Sequence, residues 1–598
     1  MANSKVQRNS KLKSGGLVLF LLSLVFTLVN YSESNWHFFN SFGGLALAKV
    51  GPEFIGVVFY LVLAFLAFKK INPKFRLGLE KIDFYLILLL VFLSLISRLK
   101  EFKLYFYADD FYYWLNREGT SYSVYQWGPW LSSHPGWVWE LSRLLAGYNP
   151  LSYQIASLLS HFLFGLGVYF LAKFLSKKRL IGFFAAFFFL ITTIHFEAFQ
   201  WLSHVSNFGW QGFLMTISVL ALIWQLKKGK GKTPPYLSSF IMMATLFAGT
   251  ARTGAILPIL SITDAWISFG FSGPKKFISW IKGLLKRQWV FYLPVLVFAW
   301  TRGLWAAANP RYEVVSSSLI NTFFWLVGVF TVPPEVIKFF SFMSPFWLGA
   351  YTIIFGIISF ILIILLLLIT MYMKKKISLY IFGAFIWTIL FALYFTFFAP
   401  HVPVTADALR ESAGPHHLAY PSSVGISLIF GLFFYYANRW LFYLLKSHIG
   451  TRKSLGITLG FSAAVFFLLL LQLDNSYKKF LYLPYSRPII REELFFDSYR
   501  KYIPLDTQKL VIYYDDNYLK NKWNFVPTES YYWAFWEGAD VKILKGRENL
   551  EKFVKETLAK GNLEDEITSL YYVIIDFEFP KAEDKTEELR KQILTGKY

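Results

Sequence analysis

Apolar positions along this chain fall in long unbroken runs rather than in alternation. Runs of this kind lie at roughly 17–31, 52–68, 84–98, 151–173, 180–194, 208–226, 236–250, 254–270, 289–306, 346–372, 377–399, 419–437 and 454–472. Each is long enough, or nearly so, to cross a hydrocarbon core about 30 Å thick as a helix. A helical solution is required, because a backbone group left unpaired in lipid costs several kcal/mol. The short alternating segments of a membrane β-barrel are missing. The pattern predicts an all-α polytopic membrane protein of about thirteen transmembrane helices.

Two further apolar stretches break this rule. Leu319–Val332 is short and is followed by Pro333-Pro334, so it is expected to be an interfacial or re-entrant helix. Phe277–Trp289 interleaves Lys282, Lys286 and Arg287 with apolar residues and predicts an amphipathic helix lying on the membrane surface. After residue 473 the long apolar runs end. Lys509–Tyr514, Val541–Leu544 and Tyr571–Phe577 have strand character, with a helix expected over Arg547–Lys560. Three regions follow: 1–83, a basic tail and two additional spans; 84–473, a membrane core; and 474–598, a small α/β domain. Asp515, Asp516 and Asp576 fall at strand ends of that domain, as ligand-binding residues or as ordinary strand termini.

Charge orients the chain. The net charge of +23 suggests nucleic acid, but its distribution does not. The segments 1–16, 69–83, 176–179, 227–232, 272–288, 374–376 and 438–453 hold 28 Lys and Arg against two acids, Glu80 and Asp83. They alternate with the other connections, which is the positive-inside pattern rather than a phosphate-tracking groove. These segments are therefore expected in the cytoplasm. Residues 99–150 and 474–598 are expected outside, in a prokaryotic plasma membrane. The basic N-terminus and the apolar run Leu17–Val29, with no small-residue cleavage site after it, read as a retained signal anchor. There are no cysteines, so disulfides and thiolate metal sites are excluded.

The candidate chemistry clusters on the outer face. The first large loop carries Asp109-Asp110 in the aromatic setting Tyr105-Phe-Tyr-Ala-Asp-Asp-Phe-Tyr-Tyr-Trp114. One acid beside another and near apolar walls is poised as a general base; the alternative is a helix cap and a solvated acid. A second outer turn reads His195-Phe-Glu-Ala-Phe-Gln-Trp-Leu-Ser-His204. Its His and Glu spacing suits a polar lining better than a helix-borne metal site. A divalent metal is compatible with these donors but not indicated, and no cofactor is called for. Seven of the nine histidines fall on this face, as do Arg252, Arg302, Arg311 and Arg410, which suit a phosphate or act as interfacial anchors. His161 is the main polar exception inside a span, expected to satisfy a neighbouring helix or to take a direct role. Trp127, Trp130, Trp137, Trp139 and Trp201 fit a sugar ring or the interfacial aromatic belt.

The order of these motifs resembles the GT-C superfamily of integral-membrane glycosyltransferases, and within it the protein O-mannosyltransferase-like branch. The likeness rests on Asp109-Asp110, His134-Pro135, Gly147-Tyr-Asn-Pro150 leading to Ser157-Leu-Leu-Ser-His161, the turn His195-x-Glu197-Ala-x-x-Trp201-x-Ser203, and Leu418-Ala-Tyr420-Pro421-Ser-Ser-Val-Gly425. It runs from about residue 84 to 437. Two places depart from it: Ala251-Arg252 where the branch has Lys-Glu, and His416-His417 where it has an Arg. The resemblance implies inverting transfer of a sugar from a polyprenyl-phosphate donor to an acceptor hydroxyl on a protein, lipid or glycan. It makes Asp109 the base with Asp110 beside it. Glu197, His195, Trp201, His161 and Tyr420 become sugar-side candidates, and Arg252 and His416 phosphate-side candidates. The partners implied are the lipid-linked donor, the acceptor and membrane lipids, with no nucleic acid. A transporter or lipid flippase without transferase activity is the competing reading. It would place more ionisable groups at mid-membrane than these spans carry.

Overall fold

A computed structural model of the chain describes residues 17–28, 51–71, 80–103, 141–142, 145–146, 149–196, 198, 202–229, 234–248, 255–269, 277–301, 316–340, 348–373, 377–398, 419–482, 496–520, 532, 536, 539–576 and 581–597. Two compact units are present, one formed mainly by the first 476 residues and one mainly by Tyr477–Tyr598.

The first unit is helical throughout its described part. Its helices are α1 (Leu17–Leu28), α2 (Gly51–Ile71), α3 (Lys81–Ser97), α4 (Pro150–Ser176), α5 (Arg179–Ile191), α6 (Leu202–Gly229), α7 (Tyr236–Ala248) and α8 (Ile256–Phe269). They continue with α9 (Phe277–Thr301), α10 (Ser316–Thr331), α11 (Pro334–Phe340), α12 (Leu348–Tyr372), α13 (Ser378–Phe398), α14 (Val424–Ile449) and α15 (Thr451–Tyr482). Among the described residues six helices are long and apolar enough to cross a membrane, and a bent pair makes up to seven. Five shorter apolar helices accompany them. This is the fold of an all-α membrane protein.

Two expectations are refined. Residues 277–289 do not form a separate surface helix, because α9 runs without a break through Phe277–Thr301 and carries Pro294 inside it. The apolar stretch before Pro333-Pro334 does stop there. α10 and α11 bend by 114° at the prolines, which withdraw two backbone donors from the helical ladder. The turn is anchored by Glu335, whose carboxylate accepts from Thr193 Oγ1 at 2.9 Å, Gln472 Nε2 at 3.1 Å and Ser476 Oγ at 3.0 Å.

Aromatic stacking and small residues set the helix spacing. Phe187 and Phe188 of α5 meet Phe466 of α15 and Phe430 of α14 at ring centroid distances of 4.1 and 4.2 Å. Gly431 brings α14 onto α5 so closely that an added Cβ would stand 2.7 Å from the Ala185 nitrogen. Two buried carboxylates among the described residues of the bundle are paired. The buried Asp264 of α8 takes the Arg287 guanidinium of α9 on both oxygens, at 2.6 and 3.2 Å, with Gln288 adding a third bond at 3.1 Å. Asp83 of α3 accepts from Lys173 and from the Tyr169 hydroxyl, each at 2.6 Å.

The second unit is α/β. Strands β1 (Lys509–Tyr514), β2 (Asp540–Lys545) and β3 (Leu570–Tyr571) form a parallel sheet in the order β2-β1-β3. α16 (Gly546–Ala559) follows β2, as parallel connections require. The expected single strand over 571–577 is divided. Tyr572 donates its N–H to Thr586 Oγ1 at 3.0 Å, and the chain resumes as β4 (Val573–Asp576), antiparallel to β5 (Lys581–Asp584). α17 (Thr586–Leu594) closes the unit over a core that includes Val511, Leu550, Phe553 and Leu589. Asp515 and Asp516 are used in tying the chain together. Asp515 accepts from the Tyr518 N–H at 2.6 Å and the Tyr572 hydroxyl at 2.5 Å, and Asp516 from the Arg547 N–H at 3.3 Å.

Candidate functional site

Ser157 and His161 lie four residues apart on α4, so they share one helix face. That face looks toward the end of α5, where the last carbonyls have no partner within the helix. His161 Nε2 lies 3.1 Å from the carbonyl of Leu190, one of those groups. A carbonyl only accepts, so Nε2 carries the proton and Nδ1 the lone pair. Nδ1 lies 2.8 Å from the hydroxyl of Tyr420, which therefore donates to it. His161 is thus fixed as one neutral tautomer by two partners, and neither ring nitrogen is left for a metal.

The turn after α5 delivers His195. Thr192 N–H closes on Phe188, Ile194 N–H on the Thr192 hydroxyl, and Ala198 N–H on the His195 carbonyl. The His195 ring stands 5.0 Å from Tyr420 and 5.8 Å from His161, centroid to centroid. Its Nδ1 is 2.9 Å from Ser423 Oγ, which spends its single O–H on the Tyr420 carbonyl at 3.1 Å. His195 Nδ1 is then the donor. Burial, and after it the Arg98 guanidinium, hold this imidazole well below its ordinary pKa, so it is neutral near pH 7.

Tyr420 sits in the single turn Ala419–Ser422 that leads into α14. Gly425 lets this turn approach α13, since an added Cβ would meet Thr388 Oγ1 at 2.1 Å and the Ala384 carbonyl at 2.6 Å. Trp387 Nε1 donates to the Pro421 carbonyl at 2.7 Å and fixes the turn from the same side.

Two charged residues that sequence reasoning missed complete the cluster. Arg98, at the end of α3, and Glu101, in the 3-10 turn Leu99–Lys103, pair at 3.0 Å and are 0% and 1% exposed. Glu101 also accepts from Ser157 Oγ at 2.5 Å. Burial pushes its carboxyl above the usual range, against the opposing pull of Arg98 and Ser157. Arg98 acts electrostatically on His161, His195 and Tyr420. Neither falls in a sequence motif: Arg98 closes an apolar run and Glu101 stands in the connection after it. The available signal was their i, i+3 spacing, which suits a local ion pair.

The structure thus brings together His161, His195 and Tyr420, from three separate motifs, around a buried Arg-Glu pair. Asp109, Asp110, Glu197, Trp201, Arg252 and His416 lie outside the described residues. Among the described residues no three His, Asp or Glu side chains converge as a metal site. What the cluster can do chemically is hold a rigid wall of two neutral imidazoles and a phenol beside the paired Arg98 guanidinium and Glu101 carboxyl. No protein-family model matches the sequence, and no curated protein matches it.

Proposed function

We propose that this protein is a membrane glycosyltransferase of GT-C type that moves a sugar from a polyprenyl-phosphate donor to an acceptor hydroxyl, with inversion, on the non-cytoplasmic face. In this reading the chain crosses the membrane thirteen times and carries its C-terminal domain outside. The observation that carries the proposal is the meeting of His161, His195 and Tyr420 at one buried point. These residues come from three of the passages that resemble the superfamily, and a shared site is the physical reason for them to converge.

The Asp109 carboxylate takes the proton of the acceptor hydroxyl, and that oxygen attacks the anomeric carbon as the bond to the phosphate oxygen breaks. Polyprenyl phosphate leaves as an anion, met by Arg252 and His416. Asp110 tunes Asp109, and Glu197 and Trp201 line the sugar pocket. Tyr420, His161 and His195 are positioning residues that fix the chain just before Glu197, with Arg98 and Glu101 setting the charge beside them. The purified full-length chain, offered a panel of polyprenyl-phosphate sugars, tests the reading. It should release polyprenyl phosphate from at least one member in an acceptor-dependent way, and release from none would overturn it.

A further inference from the structure

A cavity of about 1390 Å³ is lined mainly by α2, α3, α4 and α6, and none of its lining residues is one assigned to catalysis. Its lining runs along α6 from Trp210 to Lys227, roughly 25 Å at 1.5 Å per residue. The walls are almost wholly apolar and aromatic. It is flanked by Phe65 and Ile82, each 54% exposed. One end is different. There Lys173, Lys177, Lys178, Arg179 and Lys227 all line the opening.

The charge at that end is not balanced. Lys173 is paired with Asp83, and Arg179 with Glu80 and Asp83. Among the described residues no carboxylate pairs with Lys177, Lys178 or Lys227, and all three are exposed. The Lys227 ammonium stands 4.4 Å from the Phe174 ring centroid, a cation over the apolar wall itself. Lys177 is the one described non-glycine residue with a left-handed backbone, at φ 59°. The turn is pinned by Ser176 Oγ, which donates to the Ala172 carbonyl at 2.6 Å and accepts the Lys178 N–H at 3.1 Å.

We infer that this groove binds an anionic phospholipid, with the acyl chains along α6 and the phosphate among Lys177, Lys178 and Lys227. A free anion has no use for a long aromatic trough, and a neutral lipid has no use for three unpaired ammonium groups. Basic pockets between membrane helices bind acidic headgroups for this reason. The inference stands apart from glycosyl transfer and needs none of its residues.

The test uses full-length protein in a neutral detergent, with native mass spectrometry reading lipid bound from added phosphatidylglycerol or phosphatidylcholine of matched chains. Phosphatidylglycerol should bind at least tenfold more tightly. Lys177→Gln/Lys178→Gln/Lys227→Gln, which changes only exposed side chains, should bring it down to the phosphatidylcholine level. Ile217→Trp/Leu220→Trp, filling the trough with the lysines intact, should lower binding of both lipids; circular dichroism checks that its helices persist. Equal binding of the two lipids overturns the inference, as does an undiminished phosphatidylglycerol preference in the triple Gln variant. Inorganic phosphate that displaces phosphatidylglycerol at equal concentration would also overturn it, by showing an anion site without a lipid trough.

Discussion

The Tyr420 hydroxyl donates to His161 Nδ1 at 2.8 Å across 259 positions of sequence. The bond joins the middle of α4 to the turn before α14, both fully buried, and it selects the imidazole tautomer that reaches Leu190. Such a bond is expensive to leave half made.

Tyr420→Phe removes the donor and leaves the buried Nδ1 without it, at a cost of about 1–3 kcal/mol. Thermal unfolding of the detergent-solubilised protein should show that loss. His161→Gln and the double variant close a cycle with a coupling of about 0.5–3 kcal/mol. Additive single effects would mean that the two side chains do not interact.

How much of this was legible beforehand differs from element to element. The break at Pro333-Pro334 was readable because proline removes donors at a fixed place, and α10 and α11 bend there. The strand over Lys509–Tyr514 was readable from its run of apolar and aromatic residues. The division of 571–576 was not, since it depends on Thr586 capturing a backbone N–H from elsewhere in the chain. His161, His195 and Tyr420 stood out by motif. Arg98 and Glu101 did not, because a charge flanking a span looks solvated until tertiary packing buries it. For Asp83 and Asp264, the compensating cations come from other helices, and sequence spacing does not show that.

Acidification should act through His195. Its folded pKa lies well below the unfolded value of about 6.5. Above about 6.5 neither state binds the proton. Below it the unfolded chain binds one that the folded chain does not, so stability falls as pH drops toward the folded pKa. His195→Gln should lose less stability than wild type between about pH 7.5 and 5.5. An identical loss in the two proteins would place the titrating group elsewhere.

The Asp264–Arg287 pair tests the bundle. Arg287→Ala strands a buried carboxylate and should destabilise by about 3–5 kcal/mol. Asp264→Leu/Arg287→Met removes both charges and should recover much of that loss. A double variant as unstable as Arg287→Ala would mean that shape, not charge, holds α8 to α9.

Orientation is open to labelling, since the chain has no cysteine of its own. Cysteines placed singly at Ser121 and Ser569 should both react with a membrane-impermeant thiol reagent in intact cells. Labelling of either one only after lysis would refute the proposed sidedness.

The proposed role of Asp109 as the base that deprotonates the acceptor is tested most directly by comparing wild type with Asp109→Asn on a polyprenyl-phosphate sugar that the wild type uses. The amide is isosteric and the carboxylate serves the acceptor, so donor binding should persist. Acceptor-dependent release of polyprenyl phosphate should fall by at least about 10²-fold, the usual lower range for a lost general base. Release at the wild-type rate by Asp109→Asn, and again by Asp109→Asn/Asp110→Asn, would contradict the account.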